Sequence, residues 1–183
     1  MAKVTGILCQ IITGDVADAG TDGNVYLGIG GREFRLDSRA DDYERGSYRI
    51  YVLGLQPEYP DLPEPKVEVN NKAKNDPESY LPISTENLGL SPVYIRFEPE
   101  SSGDNWNVTC AAAWVFTHID DFAVGYTPPV DFDNLWMGQA MGKVLYLTKE
   151  WRLEPMMRHL GKKRPALLEH FKPRRRTRKA KKK

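Results

Sequence analysis

Asn24-Val25-Tyr26-Leu27-Gly28-Ile29-Gly30-Gly31-Arg32-Glu33-Phe34-Arg35-Leu36-Asp37 decides the fold class. Asn24 to Ile29 is a short β-rich run bounded by glycines, and Phe34 and Leu36 alternate with Glu33, Arg35 and Asp37. Gly30-Gly31 between them supplies the backbone freedom of a tight hairpin turn. The same period-two signal recurs outward along the chain. Val4 to Ile12 is an apolar β-rich run closed by Thr13-Gly14-Asp15, and Tyr48, Ile50 and Val52 alternate with Arg49 and Tyr51. Val93, Ile95 and Phe97 alternate with Tyr94 and Arg96, and Val108–Thr117 and Val144–Thr148 are further apolar strands. Helical periodicity is hard to find before residue 155. Strand patterns separated by Gly, Asp, Asn and Pro clusters predict an all-β sandwich or barrel.

The 183 residues suffice for one ordinary domain with a real core. Two cysteines, Cys9 and Cys110, exclude a disulfide scaffold, and both fall in apolar strands, which predicts buried free thiols. No apolar run approaches a membrane span, and Met1 to Gly6 lacks the pattern of a secretory signal, so a cytoplasmic protein is expected. Residues 56–92 hold seven prolines, which no regular helix or central strand accepts; they read as a long excursion with one short strand at Lys66–Val69. Residues 120–142 form a second irregular stretch.

The net charge of +1 hides a strong asymmetry. Residues 161–183 hold twelve basic side chains and one acid, Glu169, for a charge of +11, which leaves residues 1–160 at −10. The basic set is Lys162, Lys163, Arg164, Lys172, Arg174, Arg175, Arg176, Arg178, Lys179, Lys181, Lys182 and Lys183. Such a tail suits an anionic partner: nucleic acid, an anionic membrane surface, or acidic protein including its own body. The division expected is a β-sandwich over 1–153 and a tail over 154–183, partly helical or disordered.

Two acidic segments flank the hairpin: Asp15 to Asn24, with Asp18 and Asp22, and Asp37 to Tyr43, with Asp41 and Asp42. A hairpin through Gly30-Gly31 places both at one end of it. Two charges roughly 5 Å apart repel by about 3 kcal/mol at an effective dielectric of about 20. A hard cation relieves that repulsion, and Ca²⁺ accepts carboxylate and carbonyl oxygens in irregular geometry. The spacing is not that of an EF-hand. Asp, Asn and Gly are also the commonest residues of solvated turns, so spacing alone leaves both readings open.

Ala19-Gly20-Thr21-Asp22-Gly23-Asn24-Val25-Tyr26-Leu27 resembles the AGTDANVYL signature of the PLAT (LH2, lipoxygenase homology) domain. Leu36 to Ser47 resembles the family's aspartate-rich second loop, Ser91 to Arg96 its next core strand, Gly103 to Val108 its third loop, and Tyr146 to Leu153, with Trp151, its closing strand. The resemblance covers roughly residues 3–153, is specific over 14–53, and finds no counterpart for 56–92 or 118–142. It implies an antiparallel sandwich of two four-stranded sheets with long loop insertions. The loop pattern is closest to the calcium-binding C-terminal domain of bacterial phospholipase C toxins. By position, that implies side-chain ligands at Asp18, Asp22, Asp37, Asp41, Asp42 and Asp104, and carbonyl ligands at Gly20, Thr21 and Asn105. Ser38 stands where the toxin branch has asparagine.

The catalytic motifs G-x-S-x-G, H-E-x-x-H, the Walker loop and a zinc cysteine pair are all missing, and His118, His159 and His170 are isolated, so no enzyme is expected. Trp106, beside the third loop, and Trp136, in the irregular stretch, are candidates for membrane or partner contact. The function read from the sequence is a non-enzymatic, calcium-binding docking module. It attaches to a protein assembly or lipid surface, and its tail meets an anionic partner. The alternatives are a nucleic-acid-associated protein that binds through the tail, or a structural subunit of a larger assembly.

Overall fold

The structure is a computed structural model and describes residues 1–54, 66–118, 124–130 and 132–149. The chain divides into two units at Arg152–Leu153, and the architecture here is that of the first. Its strands are β1 (Val4–Thr13), β2 (Asn24–Ile29), β3 (Arg32–Arg35), β4 (Tyr48–Gly54), β5 (Lys66–Glu68), β6 (Val93–Glu98), β7 (Trp106–Thr117), β8 (Val124–Tyr126), β9 (Leu135–Met137) and β10 (Val144–Leu147). Among the described residues the only helical element is a single 3₁₀ turn, Asn87–Gly89.

Two sheets form the sandwich. One has six strands, ordered β5-β4-β1-β7-β8, with β9 also on β7; the other has four, ordered β10-β6-β2-β3. The expected pair of four-stranded sheets is therefore corrected. The extra strands come from the two irregular stretches: β5 from the proline-rich excursion, β8 and β9 from residues 118–142. Twelve-residue β7 is long enough to serve both, β8 at Ala113–Val115 and β9 at Trp106–Val108. Among the described residues all strand pairings are antiparallel except β4 with β5.

The hairpin is as read. Ile29 pairs with Arg32 across Gly30 and Gly31, whose φ values of 60° and 78° are those of a two-residue turn with both central residues left-handed. Val93, Ile95 and Phe97 are buried, while Tyr94 and Arg96 are half-buried on the other face. Between the sheets, Ile7, Cys9, Ile11, Tyr51 and Leu53 meet Leu27, Phe34, Ile95 and Phe97.

The six-stranded sheet is apolar on both faces. Leu8, Ile50 and Phe116 form a second buried cluster, with Tyr48, Val52 and Trp114 against it. This corrects the reading of β4, in which Tyr48, Ile50 and Val52 were the apolar series: Tyr51 and Leu53 face the main core, and Ile50 faces the second cluster. It also explains why Val4–Thr13 reads as a continuous apolar run, because β1 is buried on both sides.

The excursion also finishes the smaller sheet. Its edge strand β3 is lined by residues 70–76: the Arg35 N–H donates to Asn75 Oδ1 at 3.0 Å, and the Asn70 N–H donates to the Asp37 carbonyl at 2.7 Å. An edge covered in this way offers no template to a foreign strand. Val4 N–H to Ile83 O, at 2.9 Å, ties the same excursion to β1.

Candidate functional site

Both acidic loops leave the open end of the β2–β3 hairpin, because one enters β2 and the other follows β3. Each is fixed to the scaffold by backbone bonds. Gly14 N–H donates to Asn107 O and Asn107 N–H to Ala19 O, at 2.9 and 3.0 Å, which lays the first loop on the start of β7. The first loop then meets the second, with Thr21 N–H donating to Tyr43 O at 3.4 Å. Gly20 lets this happen: a Cβ there would lie 3.3 Å from both Tyr43 O and Arg45 N. Arg45 Nε closes the rim with Asp15 Oδ1 at 2.9 Å.

Between the loops lies a cavity of about 170 Å³ lined by Thr21–Val25, Arg35–Asp37 and Ala40–Tyr43. Of the predicted side-chain ligands, Asp22, Asp37, Asp41 and Asp42 line it, with Thr21. Asp18 and Asp104 do not. Asp18 sits exposed at a left-handed φ of 57°. Asp104 Oδ1 accepts from Thr21 Oγ1 at 2.7 Å and its Oδ2 from the Glu100 N–H at 2.8 Å, so it clamps the third loop to the first. Asn105 Nδ2 donates to Gly103 O at 3.1 Å, and its Oδ1 lies against Gly138.

The donor chemistry is that of a hard-cation site, but the carboxylates are not converged. Among the described residues no three acidic, histidine or cysteine side chains approach closely enough to hold a metal ion. The cause is visible in the hydrogen bonds. Asp42 Oδ2 accepts from the Ser38 N–H at 2.6 Å and its Oδ1 from Ser38 Oγ at 2.9 Å. Asp37 Oδ2 accepts from Asn70 Nδ2 at 3.1 Å, and Asn70 Nδ2 also donates to Ser38 O at 2.8 Å. Ser38, where the resemblance has asparagine, therefore anchors the second loop. Asn70 was missed by sequence reasoning, since it lies 33 residues beyond Asp37 and no spacing links the two.

Trp106 is corrected. It is fully buried at the start of β7, and its Nε1 donates to Thr13 Oγ1 at 3.0 Å. Its ring meets Tyr43 edge-on at 5.2 Å and Phe97 at 5.6 Å, so it forms the floor beneath the acidic loops instead of a membrane contact. Tyr43 donates its hydroxyl to Leu36 O and stacks on Tyr51 at 5.8 Å. Burial raises both phenol pKa values, and the Asp42 carboxylate adds to the rise at Tyr51. Trp136 is half-buried in β9, opposite Asn107. Burial also raises the Cys9 thiol, and pushes Cys110 up to about 12, which makes both poor nucleophiles. The basic residues from Lys162 to Lys183, with Trp151, lie outside the described residues.

No protein-family model matches the chain, and no curated protein matches it. Among solved structures it is similar to the alpha toxin of Clostridium absonum, with 22% identity and a TM-score of 0.49 over 80% of this chain and 32% of that one. It is also similar to the alpha-toxin of an avian strain of Clostridium perfringens, with 20% identity and a TM-score of 0.47 over 80% of this chain and 32% of that one. A third is a LOX variant, with 18% identity and a TM-score of 0.43 over 79% of this chain and 16% of that one. The chain spans about a third of the toxins' length and less than a fifth of the LOX variant's.

Proposed function

We propose that this domain is a non-enzymatic docking module that attaches to a lipid or protein surface and takes Ca²⁺ at its acidic loop end. The observation that carries the reading is the cavity itself: four carboxylates, from the two loops that flank the β2–β3 hairpin, line it. A divalent cation entering it neutralises charge that the fold otherwise concentrates, and oxygen donors in turn geometry suit Ca²⁺.

Because only the folded chain assembles those carboxylates, Ca²⁺ stabilises it by mass action. At ten times the dissociation constant the gain is about 1.4 kcal/mol, a rise in Tm of roughly 3–6 °C for a domain of about 150 residues. Asp22→Asn combined with Asp41→Asn is expected to remove most of that rise. Both are exposed, and both substitutions spare the bonds made by Asp37, Asp42 and Asp104. A melting curve indifferent to millimolar Ca²⁺ sinks the reading.

The second reading, nucleic-acid binding through the tail, is favoured by the charge division of +11 against −10. On that reading full-length protein binds heparin and duplex DNA, residues 1–160 bind neither, and affinity falls steeply with salt as counterions are released. Equal behaviour of the two chains assigns the tail to a protein assembly instead.

A further inference from the structure

Arg32, the first residue of β3, is the hub of a turn at the other end of the hairpin. The carbonyl oxygens of Asp76, Pro77, Ser79 and Leu81 lie 3.0–3.3 Å from its Nη1 and share the two N–H groups there, and its Nη2 donates to Lys74 O at 3.2 Å. One guanidinium thus gathers five carbonyls of residues 74–81. Asp76 tightens the same turn, its carboxylate accepting from the Glu78 N–H at 2.9 Å and from Ser79 Oγ at 3.1 Å. Below the tip, Ile83 N–H donates to Pro77 O at 3.1 Å, and the Ile83 side chain is buried against Gly30.

The tip so fixed carries Tyr80 and Leu81, each 74% exposed. Tyr80 has a φ of 58°, a left-handed conformation that bulky residues rarely adopt. A loose loop bearing two large apolar side chains folds them onto the nearest apolar surface. Here the carbonyl cage around Arg32 holds them away from it.

We propose that the Tyr80–Leu81 tip inserts into the interfacial zone of a lipid bilayer. The proposal rests on the lipid-surface reading above and names the end of the molecule that meets the lipid. Two side chains of this kind offer roughly 200–300 Å², against about 800 Å² per partner in a stable protein interface. A fluid interface accepts so small a convex tip without a matching pocket, and tyrosine is favoured at the headgroup level. Charges on the turn are balanced, Lys72 and Lys74 against Asp76 and Glu78, so insertion needs no anionic lipid. The six residues of β2 separate this end from the acidic cavity by roughly 20 Å. The cavity therefore stays off the bilayer while the tip is inserted.

The test uses the full chain with phosphatidylcholine vesicles and a chelator, which removes the contributions of calcium and of anionic lipid. Single cysteines at Leu81→Cys and Ala40→Cys carry an environment-sensitive fluorophore, corrected for the labelling of unsubstituted protein. The label at 81 is expected to shift to the blue and brighten several-fold on adding vesicles, while the label at 40, on the acidic loop, does not move. Leu81→Asp is expected to lower the floated fraction at least tenfold with an unchanged melting curve, and Tyr80→Ser to act in the same direction. A response at 40 without one at 81, or full flotation of Leu81→Asp, overturns the proposal and leaves the lipid reading standing. No flotation of the unsubstituted protein on neutral or anionic vesicles, with or without Ca²⁺, overturns both.

Discussion

Trp106→Ala is expected to cost about 3–5 kcal/mol of folding stability. The ring is fully buried and packs against Tyr43 and Phe97. Truncation also strands the hydroxyl of Thr13, which is 1% exposed and accepts from the indole N–H. A domain of this size is stable by about 5–15 kcal/mol in total, so roughly a fifth or more of the stability rests on one side chain. Urea denaturation reads the effect directly. Trp106→Phe, which keeps most of the volume but not the N–H, is expected to fall between the two. A loss below about 1 kcal/mol would mean that the ring is not in the core. The position beneath the loops adds a second readout: Trp106→Ala removes their floor, so any calcium response of the melting curve is expected to weaken with it.

Ile95→Ala ranks next, at about 2–5 kcal/mol. Ile95 is fully buried in β6, between Leu27 of β2 and Leu145 of β10. Its neighbour Tyr94 points to the other face, where it meets Tyr146 edge-on at 6.3 Å and donates to Glu33. Tyr94→Ala is accordingly expected to cost well under half as much. Equal losses at 94 and 95 in equilibrium unfolding would show that the face of β6 has been assigned wrongly.

The parts of the fold legible in the sequence are those set by short-range chemistry. The Gly30-Gly31 turn and the alternation of Phe34, Leu36, Val93, Ile95 and Phe97 depend on neighbours in the chain, and each is found where it was read. What escaped depends on pairing across long separations. Trp106 stands next to an acidic loop in the sequence, but β7 begins at Trp106, two residues earlier than its apolar run suggests, and register with β9 turns the indole inward. Ile50 and Tyr51 are both apolar, so the order of faces on β4 became visible only once both faces of the sheet were seen to be buried. At the loop end four of the six carboxylates named from the sequence line the cavity and Asp18 and Asp104 do not, and the sequence does not tell what already occupies their oxygens. The donors are Ser38, Thr21 and the distant Asn70, and nothing in their spacing announces the role.

Those occupied oxygens set how much cation the loop end needs. Of the cavity's carboxylates, Asp37 and Asp42 accept hydrogen bonds within the protein, so an entering ion competes with donors already in place. A hydrogen bond to a charged group contributes about 1.5–3 kcal/mol, and each 1.4 kcal/mol given up weakens apparent affinity tenfold. Surrendering even one of these bonds therefore raises the half-saturating concentration by an order of magnitude or more. In exchange the loops are already ordered, and little chain entropy is lost on uptake. If the loop end takes Ca²⁺ as proposed, the site so built acts as a threshold device, silent in trace calcium and engaged only where the ion is abundant.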